Sequence, residues 1–70
     1  MSDLATRFHR LLSSRLENAV AAEAGNLARG LAKDHSDYRH RCGQIRGLEA
    51  ARSIADEVLK ALFADDDQEN

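Results

Sequence analysis

Seven apolar residues recur at every fourth position from Leu4 to Ala28: Leu4, Phe8, Leu12, Leu16, Val20, Ala24 and Ala28. Leu11, Ala19 and Leu27 stand beside that row, and no proline interrupts it. A row this long at helical spacing admits one long amphipathic helix and little else. A four-residue step overshoots one turn by about 40°, so the row winds round the helix, and a partner following it must cross at an angle or supercoil. Arg7, Arg10, Arg15, Glu17 and Glu23 are expected to fill the other sides, and Asp3 stands where an N-cap belongs.

Two glycines compete to end this helix, which is expected over about residues 3–29. Gly25 is followed by the turn-prone Asn26, and Gly30 is preceded by Arg29, a residue suited to a helix C-terminus. Gly30 is the expected stop. A second helix follows from about residue 33 to 64, with Asp34 and Asp37 supplying the acids wanted at its start. On a heptad count its inner positions are Tyr38, Arg41, Ile45, Leu48, Arg52, Ala55, Leu59 and Leu62, so two arginines interrupt the seam. The fold class expected is all-α, a hairpin of two long antiparallel helices. Residues 65–70, Asp-Asp-Asp-Gln-Glu-Asn, are polar and like-charged and are expected to form a disordered acidic tail.

The second helix carries two glycines, Gly43 and Gly47, with no turn signal around either. Each costs a helix about 0.5–1 kcal/mol relative to alanine, so a packing reason is expected. Close approach of another backbone is the usual one. Gly43, Gly47, Ala50 and Ile54 form one line, and Tyr38, Cys42, Ile45 and Leu48 lie elsewhere on the helix. These eight residues make the candidate protein-contact surface, because two usable faces are one more than a lone hairpin can bury.

Composition bears on what such a chain can do. Seventy residues allow one domain with a thin core, and one cysteine excludes an internal disulfide. His9, His35, His40 and Cys42 lack the spacing of a zinc site, so no metal or cofactor is expected. Cys42 reads as a small apolar side chain. No catalytic motif is present, and an enzyme is not expected. Association with protein partners is the stabiliser that is left. No apolar run approaches the roughly 20 residues of a membrane span and no signal peptide is visible, so synthesis in the cytoplasm is expected. Residues 1–52 carry nine basic against six acidic residues, and residues 53–70 one against six. Arg39, His40, Arg41, Arg46 and Arg52 make a basic patch on the second helix that reads first as a solvated face and only weakly as a phosphate-binding one.

Gly30, Ala32-Lys33-Asp34, Tyr38, Cys42-Gly43, Ile45 and Gly47-Leu48, followed by Ala50 and Ala51, resemble a pattern found in short proteins encoded by tailed bacteriophages, G-x-A-x-D-x-x-x-Y-x-x-x-x-G-x-I-x-G-L. The resemblance covers about residues 30–51. His35 departs from the aromatic expected beside Asp34. The resemblance implies a virion-associated or head-assembly accessory, made in the host cytoplasm and docked in many copies on itself, a capsid or a connector ring. The alternative is a small phage or bacterial regulatory binding protein, either a host-enzyme inhibitor or a nucleic-acid-associated factor.

Overall fold

The computed structural model describes the backbone of residues 2–69 and the side chains of residues 4–65. Two helices, α1 (Ser2–Ala28) and α2 (His35–Glu69), form an antiparallel hairpin with a rod-like outline of 55 × 17 × 10 Å. This is the all-α hairpin expected. α1 starts one residue before the expected cap at Asp3, whose side chain lies outside the described residues. α2 continues in helical form to Glu69, past the expected end at residue 64. The backbone of residues 65–69, expected as a disordered tail, is part of α2, while the side chains of residues 66–69 and all of Asn70 lie outside the described residues.

Gly30 ends α1. Its φ of 76° lies in the left-handed region that glycine enters without a Cβ penalty. The Leu31 N–H donates back to the Asn26 carbonyl (3.1 Å) and the Gly30 N–H to the Leu27 carbonyl (3.0 Å). That pair of bonds is a Schellman closure, which satisfies carbonyls the helix end would otherwise leave open. Gly25 lies inside the helix, so the competition between the two stops is decided.

Asp34 caps α2. Its Oδ1 accepts the Asp37 N–H (2.8 Å), while Asp37 Oδ2 reaches back to the Lys33 N–H (3.0 Å). The two acids thus satisfy donors on either side of the first turn, a close variant of the capping box. The connection between the helices is only residues 29–34. A link that short forces antiparallel neighbours.

The half-buried positions show how the helices meet. On α1 they include Ala5, His9, Leu12, Leu16, Ala19, Glu23 and Asn26, alternating steps of four and three. On α2 they include Arg41, Ile45, Leu48, Ala55 and Leu59, and Arg52 keeps the same alternation. That is the heptad seam of a two-stranded coiled coil. The inner positions counted on α2 are therefore largely those observed. The row on α1 needs correcting. Only its middle members, Leu12, Leu16 and Val20, are half-buried, whereas Leu4, Phe8, Ala24 and Ala28 are exposed. A strict four-residue row drifts across a seam that alternates four and three, and it coincides with the seam only where the two cross. Glu23, expected on an outer side, occupies a seam position for the same reason.

Among the described residues none is buried. A two-helix hairpin covers one stripe of each helix and leaves the remainder of both in solvent.

Candidate protein-contact surface

The open half of the hairpin, away from the connection, carries two grooves that share His9. The first is apolar and has a volume of about 700 Å³. α1 contributes Leu4, Ala5, Phe8 and Leu12 to it, and α2 contributes Ala51, Ile54, Ala55, Val58, Leu59 and Leu62. Its walls stand out in solvent: Leu4 is 73% exposed, Phe8 65%, Ile54 58% and Val58 53%. A concentration of large apolar side chains on one side of a small chain makes this face the candidate interaction site. The second groove is polar, lined by Arg10, Ser13, Ser14, Glu17, Arg52 and Asp56. His9 stands on the seam between them, its Nε2 2.7 Å from Asp56 Oδ1.

Two charge pairs cross the seam nearer the connection. Arg52 meets Glu17, and Arg41 meets Glu23 at 3.8 Å while its Nε donates to Asp37 at 3.2 Å. The N–H of Lys33 first, and then the Arg41 guanidinium, hold the Asp37 carboxyl below its ordinary value of 3.8. His9–Asp56 and Glu23–Arg41 put residue i of α1 level with about residue 65 − i of α2, and the long Arg52 and Glu17 side chains reach about one turn along the rod to pair.

The residues singled out from the sequence divide between the inside and the outside of the hairpin. Ile45 and Leu48 are on the seam and Cys42 is half-buried near it, so these three face their own partner helix more than a foreign one. Tyr38, Gly43, Gly47, Ala50 and Ile54 are exposed. Tyr38 stacks on His35, ring centroids 6.4 Å apart. Hydrogen bonding with the Cys42 sulfur one turn on, then the negative charge which that sulfur carries as a thiolate, and last some desolvation, push its hydroxyl above the ordinary 10.0.

A Cβ added at Gly43 or Gly47 meets nothing within 4 Å, so α1 is not the close neighbour that the two glycines were expected to admit. Gly47 and Ile54 are one heptad apart, which places the glycine line on the same side of α2 as the apolar groove. The basic patch also divides. Arg41 and Arg52 are engaged with acids of the hairpin itself, whereas Arg39, His40 and Arg46 are exposed and make no ion pair among the described residues.

Sequence reasoning missed the contribution of α1 to this surface. The four-residue row from Leu4 suggests an inner stripe, whereas Leu4 and Phe8 stand exposed and build one wall of the groove, with Leu11 exposed beside them. The available signal was the heptad alternation Ala5, His9, Leu12, Leu16, Ala19, which competes with the four-residue row and contains a histidine.

The fold and the surface define an all-α hairpin with an uncovered apolar face. No helix among the described residues is long and apolar enough to cross a membrane. Comparison with protein-family models, with curated proteins and with solved structures finds no match.

Proposed function

We propose that this chain is a structural or interaction protein, a helical hairpin that works as one part of a multi-copy protein assembly. One observation carries the reading: the hairpin buries none of its described residues, yet gathers Leu4, Phe8, Ile54 and Val58 on one side of its open half. A chain of 70 residues with so little burial gains its stability by association. The setting we propose is a tailed-phage particle, with the hairpin a virion-associated or head-assembly accessory docked on capsid or connector proteins. Support for that setting is the likeness of residues 30–51 to short phage proteins. The regulatory alternative as a nucleic-acid-associated factor draws less support, because two of the five basic residues neutralise acids within the hairpin.

Thermal unfolding of the purified chain across a hundredfold range of micromolar concentration tests the reading. The midpoint is expected to rise with concentration, as it does for any fold stabilised by association. A cooperative, concentration-independent transition from a species that light scattering reports as a monomer would overturn it. Detection of the chain in purified particles tests the setting.

A further inference from the structure

We propose that a second copy of this chain covers the apolar groove, the two hairpins packing face to face with their open ends together and α1 of each laid along α2 of the other. The inference rests on the interaction reading above and names the partner that the groove fits.

The surface is complementary to itself. Leu4, Phe8 and Leu11 fall at i, i+4 and i+7 and project from α1, which is the anchor pattern of an amphipathic helix that docks in a groove. The same surface holds the groove. A two-fold interface requires one patch to supply both shapes, and this patch does.

The rims carry opposite charge. Arg7 lies three residues after Leu4 and four before Leu11, so it borders the α1 wall. Glu57 lies three residues after Ile54 and borders the α2 wall. Both are exposed, and neither has an ion-pair partner among the described residues.

Register ties the two observations together. A two-fold axis parallel to the helices leaves every residue at its own height. Each residue of α1 therefore meets, in the other copy, the stretch of α2 with which it is already level in its own hairpin. The His9–Asp56 pair sets that level. It puts Leu11 opposite the partner's Ile54, Phe8 opposite the partner's Val58, and Arg7 opposite the partner's Glu57. One symmetry operation thus sets apolar on apolar and positive on negative, with every neighbouring pair of helices antiparallel. An axis perpendicular to the helices sends the open ends in opposite directions and, without a slide along the rod, leaves both grooves uncovered.

Cross-linking of full-length chains tests the arrangement. Cys42→Ser removes the native thiol; one such chain then receives Leu11→Cys and another Ile54→Cys. The mixture, mildly oxidised, is expected to give a disulfide-linked pair of twice the 7.7 kDa chain mass, while neither variant alone does. Arg7→Glu and Glu57→Arg are each expected to weaken self-association roughly fivefold, and mixing the two to restore it, because the mixed pair meets plus with minus at both rims. Leu11→Cys linking to itself as readily as the mixture, or no link from the mixture, with the melting midpoint still dependent on concentration, would overturn this arrangement and leave the interaction reading standing. So would a mixture of the charge variants that associates no better than either alone. A concentration-independent midpoint for the unaltered chain would instead overturn the reading beneath it.

Discussion

Arg52 of α2 and Glu17 of α1 pair across the seam, Nη2 to Oε2 at 2.5 Å, where the heptad count calls for a core side chain. Arg41 repeats the arrangement one and a half heptads away, facing Glu23. The two arginines that interrupt the apolar repeat of α2 are thus met by acids from α1. Both pairs remain half-exposed, so each contributes at most about 1 kcal/mol. Their larger effect is on register. A slip of one heptad would set Arg52 beside Arg10 or Ala24, and a seam charge without its partner discriminates against the wrong alignment.

Replacing that pair by leucine should therefore stabilise the hairpin and loosen its register. Glu17→Leu with Arg52→Leu is expected to gain about 1 kcal/mol, since well-packed apolar side chains often outperform a partly desolvated ion pair. Arg52→Leu alone should change stability by less than about 1 kcal/mol. Denaturant unfolding measures both. A double variant less stable than the parent would show that the pair contributes more than its exposure suggests.

Gly30 and Gly25 should respond to alanine in opposite directions. Gly30 sits at φ 76°, where a Cβ costs about 1–2 kcal/mol, so Gly30→Ala is expected to lower the melting temperature. Gly25 is helical, and an added Cβ would meet Arg29 Nη1 at 3.5 Å, an ordinary contact. Gly25→Ala is expected to gain about 0.5–1 kcal/mol. Two variants shifting the same way would place the helix end elsewhere.

Asp37 gives the start of α2 a dependence on acid pH. Its folded carboxyl lies below the ordinary 3.8, because the ionised form accepts from the Lys33 N–H and from Arg41. A depressed value stabilises the fold above the unfolded value, and that contribution disappears as pH falls below 3.8 through the folded one. Asp37→Asn should be less stable near neutrality and should lose part of the acid-induced drop in helicity. Circular dichroism from pH 6 to pH 2 on both chains measures this. An identical acid limb in the variant would assign the transition to other carboxyls.

Gly43 and Gly47 separate helix propensity from contact. No atom stands within 4 Å of a Cβ added at either, so alanine at both should raise stability by about 1–2 kcal/mol together. Leucine at both should keep α2 helical and cost association, since overpacking a close contact loses about 1–3 kcal/mol per site. Unchanged assembly in the leucine variant, read by light scattering beside Arg39→Leu as a control, would remove the glycine line from the contact surface.

Much of the hairpin is legible in the residues because its determinants are local. The absence of proline, the apolar periodicity of both segments, Gly30 with Arg29 before it, and Asp34 with Asp37 each act within one or two turns. Which side of α1 faces α2 was not legible. The four-residue row from Leu4 and the four-three alternation from Ala5 are both helical patterns, and their energies differ only once a second helix is set against each. Antiparallel packing selects the alternation, because only that spacing keeps a stripe facing a supercoiled neighbour along its whole length. The same choice turns Leu4, Phe8 and Leu11 outward and brings Glu17 and Glu23 to the arginines of α2. Periodicity determined that there are two helices; the pairing of one helix with the other decided which apolar residues are left uncovered.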